Sequence, residues 1–204
     1  MHPSVRRIVE FPKIAQRTPE WYEYRKKRVT ASEASTIIAQ GKGYDRVFEQ
    51  KVGMRDTNIS SEYMTIGTEN EEAVVVLYRE RYPDEEVFHD LSIIPHETLD
   101  YVAASLDACT ASGINVEIKT VFKNAYVKVS KMYYDQVQLQ MEVAGLDKTH
   151  FVQHYIRMPG QPIVVHEIIR DRAWFARNSE IFKGFVRKVR EFFPFANLEE
   201  FGTA

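Results

Sequence analysis

A chain of 204 residues, 44% hydrophobic and 12% aromatic, is long enough to bury one core, and with no second composition regime it predicts a single domain over 1–204. A formal net charge of -2 and a pI near 6.3 exclude a protein that coats nucleic acid through its overall charge, so a nucleic-acid site must be a local basic patch. The single cysteine, Cys109, excludes an internal disulfide framework, no uncharged run approaches the roughly 20 residues of a membrane helix, and Arg6, Arg7 and Glu10 stand where a leader would be apolar. An intracellular, soluble protein is expected.

Thr18-Pro-Glu-Trp21 reads as a helix start, with threonine as N-cap and proline in the first turn, and this helix should run to about Arg28. Thr30-Ala-Ser-Glu33 repeats the signal as a capping box leading into Ile37 and Ile38, and the second helix should end near Gly41-Lys-Gly43. Gly43 to Gly53 predicts a short third helix and Ser60 to Tyr82 a long fourth, stopped by Pro83. Short β-branched or alternating runs follow at Val87-Phe-His, Ser92-Ile-Ile, Tyr101-Val-Ala-Ala and Ile114-Asn-Val-Glu-Ile, expected as strands of one sheet. Tyr133 to Ala144 returns to helical period. Strands over about Thr149 to Arg157 and Ile163 to Arg170 flank the turn Met158-Pro-Gly-Gln161 as a hairpin, and Arg172 to Phe193 closes the chain as an amphipathic helix. The order predicts an α/β fold with a mixed central sheet flanked by helices.

The segment that carries chemistry is Ala104-Ser-Leu-Asp107 followed by Glu117-Ile-Lys119. Residues two apart on a strand share a face, so Glu117 and Lys119 project together while Ile118 enters the core. Asp107 can then meet Glu117 around a hard divalent cation, with the main-chain oxygen of Ile118 as a further ligand. Lys119 beside that cation can orient an attacking water and offset charge on a phosphate. Taken alone, Glu-x-Lys is equally an ion pair on an exposed strand.

Further blocks tip the balance. Trp21-Tyr-Glu-Tyr-Arg25 with Val29-Thr-Ala-Ser32, Gly67-Thr-Glu-Asn-Glu71, the Asp107 to Lys119 motif, and Tyr134-Asp-Gln136-Val-Gln138-Leu-Gln-Met141 occur in one order over about residues 18 to 145. In that order they resemble the lambda-phage-type recombination exonucleases of the restriction-endonuclease-like PD-(D/E)xK superfamily. Two positions depart from the family pattern. Leu106 stands where the family usually has proline, and Ala108-Cys109 where it has a glycine, which bears on the local turn more than on Asp107.

The resemblance implies a restriction-endonuclease-like core and a metal-dependent nuclease acting on double-stranded DNA ends. It implies Mg2+ as cofactor, with Mn2+ able to substitute, held by Asp107, Glu117 and Ile118. Lys119 would position or activate the water, Glu71 would be a further acid of the site, and Gln136 would point into it. Arg25, Thr30, Ser32 and Ser105 would bind a DNA 5′-phosphate, and Met64 would separate the terminal base pair. A homo-oligomer (a trimer in the best-known relatives), a single-strand annealing protein as partner, and host-cell cytoplasm or nucleus as location are implied in the same way. Bland readings stand beside these: Glu71 as a solvated helix face, Arg25 as one of the surface run Arg25-Lys-Lys-Arg28, Met64 as core. That run is expected to form a basic surface near the acidic site. The alternatives to a 5′-to-3′ exonuclease are an endonuclease or RNA-cutting nuclease with the same core, and a non-catalytic nucleic-acid-binding domain. Cys109 is expected to be a small buried residue, and the histidines show no metal-ligand spacing.

Overall fold

The computed structural model describes residues 1–55, 62–121, 128–156 and 163–192, with the side chains of 62–69 outside that description. Met64 and most of the Gly67 block, and the turn Met158-Pro-Gly-Gln161, therefore lie outside what is described structurally.

Helix α1 (Pro3–Glu10) is an element the sequence reading does not contain; His2 caps it through Ser4 N–H, and Val5 and Ile8 bury its inner face. Helix α2 (Pro19–Lys26) starts where expected, with Thr18 Oγ1 accepting from Trp21 N–H at 3.2 Å. A two-residue strand β1 (Val29–Thr30) and a 3-10 turn (Ala31–Glu33) come next. Glu33 Oε2 accepts from Thr30 N–H at 3.0 Å, the capping-box contact that aims the chain into α3 (Ala34–Ala39). Helices α4 (Lys42–Lys51) and α5 (Glu62–Arg81) complete the first half.

The strands are β2 (Val87–His89), β3 (Ile94–Pro95), β4 (Val102–Ala104), β5 (Ala108–Thr110) and β6 (Ile114–Val121), then β7 (Lys148–Tyr155) and β8 (Ile163–Ile169) after helix α6 (Lys131–Ala144). Helix α7 (Arg172–Phe192) follows. They do not form one sheet. Among the described residues a five-stranded mixed sheet runs β2-β5-β6-β7-β8, and a separate three-stranded sheet runs β1-β4-β3. The division has a plain cause: β4 is already paired on one edge with β1 and on the other with β3, so no edge is left for β5. The chain leaves β4 through Ser105 and buried Leu106, and β5 pairs instead with β2 and, across the Gly113 turn (φ 102°), with β6.

Strands β6 and β7 are parallel, so the connection between them must cross over a sheet face, and α6 is that crossover. Ser130 caps its start, and Gly145 at φ 68° ends it in the left-handed conformation that glycine adopts without strain. Val116 and Ile118 of β6 pack with Val74, Val75 and Tyr78 of α5. On the opposite face, Phe151 of β7 packs with Val137 and Met141 of α6. Glu117 pairs in register with Phe151, so its side chain lies on the α6 face, while Ile118, in register with Val152, lies on the α5 face.

Candidate active site

The antiparallel register Ala108↔Val116 and Cys109↔Asn115, carried one step further, sets Asp107 opposite Glu117 at the end of β5. Asp107 Oδ2 accepts from the main-chain N–H of Ile118 at 2.7 Å. A residue's N–H and C=O leave the same edge of a strand, so the Ile118 carbonyl is directed to the edge where the Asp107 carboxylate lies. The alternation expected for Glu117, Ile118 and Lys119 is present: Glu117 and Lys119 form an ion pair, and Ile118 is buried in the α5 core.

Glu117 is 1% exposed, and a carboxylate so buried needs partners for both oxygens. Gln136 Nε2 donates to Oε1 at 2.6 Å and Gln140 Nε2 to Oε2 at 2.5 Å, from positions one helical turn apart on α6. Gln140 Nε2 also donates to the Ser105 carbonyl at 3.0 Å, and its Oε1 accepts from Asn115 Nδ2 at 3.1 Å. Gln140 is thus a site residue that the sequence reading passed over, although its spacing of four from Gln136 was a usable signal. Tyr133 was missed as well; the Lys119 ammonium stands 5.4 Å from its ring centroid.

Charge in this centre is crowded. Burial holds the Asp107 carboxyl well above the usual range, and the nearby negative charges of Glu117 and Glu71 add to it, against Lys119 and the Ile118 N–H. Glu71, on α5, is raised by burial and then by Glu117, while Lys119 and Arg17 oppose. Burial by itself would lower the Lys119 ammonium, but Glu117 and Asp107 more than offset this and hold it above its ordinary value. Among the described residues no three His, Cys, Asp or Glu side chains form a ready cage. The donor chemistry nevertheless suits a hard cation: carboxylate oxygens and a main-chain carbonyl, with excess negative charge that a cation would relieve.

A second cluster lies at the start of the chain. The Arg25 guanidinium stacks 4.4 Å from the Trp21 ring centroid, and its Nη2 is shared between Ser32 Oγ at 3.2 Å and Glu33 Oε1 at 3.3 Å. Parallel pairing of β1 with β4 sets Thr30 opposite Ala103, so Ser32 and Ser105 leave their strands at the same end. The Ser105 hydroxyl is buried and makes no hydrogen bond among the described residues, while the Thr30 hydroxyl faces the Glu33 N–H of the capping box. Arg25, Glu33, Trp21, Arg17 and Lys51 line a cleft of ≈ 280 Å³. Gln140 ties the Ser105 carbonyl, after β4, to Glu117 of the acidic centre, and Arg17, which lines the cleft, acts by its charge on Glu71.

The Arg25 to Arg28 run does not stand free as a solvated helix face; Arg25 and Lys26 line the cleft with Arg17 and Lys51. All four residues are half-buried. Arg25 is held as above, Lys26 pairs with Glu23, and Arg28 lies 4.0 Å over the Tyr24 ring. Short helices cannot point four consecutive cations to solvent on one side, because successive residues turn by about 100°. Cys109 is buried, and burial pushes its thiol up to about 12, consistent with an inert packing role.

The fold is restriction-endonuclease-like, a mixed sheet whose strand β6 carries Glu117 and Lys119 beside Asp107. Residues 20–147 match the model of the YqaJ-like viral recombinase domain, and the chain belongs to that family. Among solved structures, that of LHK-Exo in complex with dAMP is similar with a TM-score of 0.73 at 24% identity, over 85% of this chain and 93% of the other. A second LHK-Exo structure, described as an alkaline exonuclease from Laribacter hongkongensis, is similar with a TM-score of 0.72 at 24% identity over the same shares. A phage related exonuclease from Haemophilus somnus is similar with a TM-score of 0.57 at 14% identity, over 81% of this chain and 93% of that one. No curated protein is matched in sequence. No helix among the described residues is long and apolar enough to cross a membrane.

Proposed function

We propose that the chain is a metal-dependent deoxyribonuclease that degrades linear double-stranded DNA from a 5′-phosphorylated end, in viral or phage recombination. The observation that carries this reading is the convergence of Asp107, opposite Glu117 and bonded to Ile118 N–H, with Lys119 on the face of Glu117. Asp107, Glu117 and the Ile118 carbonyl would hold Mg2+, with Mn2+ able to substitute. When bound, such a cation offsets charge developing on the scissile phosphate and acidifies a water. Lys119, beside the Glu117 carboxylate, would position or activate the attacking water. Gln136 and Gln140 hold Glu117 in place, and Glu71 adds an acceptor on the α5 side.

Arg25 and Ser32, with the hydroxyls of Thr30 and Ser105, would make a donor set suited to a terminal phosphate, which carries more charge and more oxygens than an internal one. Binding of the nucleoside monophosphate dAMP by the similar LHK-Exo supports a nucleotide-sized anion as ligand. The links through Gln140 and Arg17 would set the cleaved bond at a fixed distance from the gripped end. The test is cleavage of end-labelled duplex DNA with Mg2+ and with a chelator, on linear and covalently closed substrates. Magnesium-dependent loss of linear duplex with survival of circles is expected. Ready cutting of circles would replace the exonuclease reading with the endonuclease one.

A further inference from the structure

Lys51, in the last turn of α4, is 4% exposed, although lysines are among the residues least often buried. Its Nζ lies 2.7 Å from each of three acceptors, namely the Arg25 carbonyl, the Arg28 carbonyl and Glu33 Oε2. An ammonium has three protons to donate, so this one has none left for a ligand. Lys51 therefore cannot itself grip a substrate phosphate. What it does is divide the Glu33 carboxylate: Oε2 is taken by Lys51 and Thr30 N–H, which leaves only Oε1 for Arg25. Arg25 is consequently held through the single nitrogen Nη2, shared with Ser32. An arginine and a free carboxylate in contact ordinarily close into a two-point fork, which would take the guanidinium away from any incoming anion.

We infer that Lys51 is a positioning residue for DNA-end recognition, which occupies one oxygen of Glu33 so that the Arg25 guanidinium stays available to the 5′-phosphate. This rests on the reading of Arg25 as the end anchor. The same cleft supplies a pH signature. Burial draws the Lys51 ammonium down to about 8, with Arg25 acting in the same direction and Glu33 against it. The charged groups facing Lys51 are Glu33 from the 3-10 turn and Arg25 from α2, and Arg17 and Lys26 line the cleft beside them. Once Lys51 loses its proton, the charge that holds Oε2 is gone and the pull of Arg25 on Glu33 is no longer opposed by a second cation.

The experiment measures the ratio of degradation rates for 5′-phosphorylated and 5′-hydroxyl linear duplexes in the wild type, Arg25→Ala, Lys51→Met, Glu33→Gln and the double variant Lys51→Met/Glu33→Gln. Lys51→Met should lower the ratio roughly tenfold, the scale of one charged hydrogen bond. The double variant should recover most of it, because a neutral amide competes poorly for the guanidinium and no buried charge is left unpaired. A role in folding alone would not be rescued by removing a second charge. In the wild type the ratio should fall as pH rises through about 8, and in Glu33→Gln it should stay flat. This pH comparison decides the matter even where Lys51→Met does not fold. A ratio retained in Lys51→Met, a loss unrescued by the double variant, or a wild-type ratio flat across pH 8 overturns the inference about Lys51 while leaving Arg25 as anchor. Equal ratios in the wild type and Arg25→Ala overturn the anchor reading and this inference with it.

Discussion

Around Glu117 two further acids press on one lysine, whereas around Glu33 two cations share one carboxylate. Glu117 is buried and Glu33 half-buried, and each accepts on both of its oxygens, yet their surroundings differ in sign. In the acidic centre the surplus negative charge is left standing, and burial plus like charge push Asp107 and Glu71 upward. In the cleft the surplus is positive: although burial works to raise Glu33, Lys51 and Arg25 together hold it below its ordinary value. A site with unrelieved negative charge is ready for a cation. One whose arginine is only half engaged by an internal carboxylate is ready to exchange that carboxylate for a phosphate.

The comparison breaks most visibly at the acidic centre. Asp107→Ala and Lys119→Ala should each abolish cleavage, a loss beyond about 10²–10³-fold, since each removes preorganised charge at the reacting phosphate. Calorimetry with Mg2+ separates them, because Asp107→Ala should lose metal binding and Lys119→Ala should keep it. Asp107→Asn preserves an acceptor for the Ile118 N–H and guards against a folding artefact. Full activity in any of these variants would end the assignment.

Next in size are the glutamines that hold Glu117. Gln136→Ala and Gln140→Ala should lower activity roughly 10–100-fold, as removal of a group orienting a metal ligand commonly does. They should differ in stability. Gln140→Ala strips partners from Glu117, Ser105 and Asn115 in a buried network and should cost about 1–3 kcal/mol in chemical denaturation; Gln136→Ala strips one and should cost less. Equal costs would mean that the network is not centred on Gln140.

The cleft is expected to govern preference more than rate. Arg25→Ala should lose the advantage of 5′-phosphate over 5′-hydroxyl duplex, about 1.5–3 kcal/mol or roughly tenfold or more, with metal binding by calorimetry unchanged. Weakened metal binding in that variant would show that the two regions are one electrostatic unit.

The smallest effect sharpens the contrast through stability. The folded-state Lys51 ammonium lies near 8 and its ordinary value is 10.5, so the folded protein gives up this proton before the unfolded chain does. The unfolded state then holds more protons between those values, and stability rises with pH across that window, being lowest below about 8. Denaturation of the wild type and the Lys51→Met/Glu33→Gln variant at pH 7 and pH 10 should show the wild type gaining relative to the variant at the higher pH. End preference should be lost over the range in which stability is gained. No relative gain would mean that Lys51 is neutral throughout.

What could be read without the structure followed from local rules. Thr18 and Pro19 announced α2, the alternation of Val116, Glu117, Ile118 and Lys119 announced both the strand and its chemical face, and the period from Tyr133 to Ala144 announced α6. These signals are carried by neighbours within one or two turns. The division into two sheets was not legible, because β1, β3 and β5 are two or three residues long and exist only by pairing with distant segments. Helix α1 was legible in principle, with Pro3 in the first turn and Val5 and Ile8 three apart. Gln140 stood among three glutamines of α6, where its spacing of four from Gln136 set it on the same face and apart from Gln138, which bonds instead to Ile169 and Asp171; its contact with Glu117 needed the structure.

The sequence by itself therefore determined the order of the longer elements from α2 onward, the Asp107, Glu117 and Lys119 triplet and its resemblance to the recombination exonucleases, since these depend on spacing along the chain. The tertiary structure alone decided which charges share a carboxylate. Lys51 reads in sequence as an ordinary C-terminal lysine of an amphipathic helix, and the Arg25 to Arg28 run as a basic surface. Packing α4 against α2 and the 3-10 turn buried Lys51 and brought it to the carboxylate that also holds Arg25, because which charges share a partner is set by which distant segments touch.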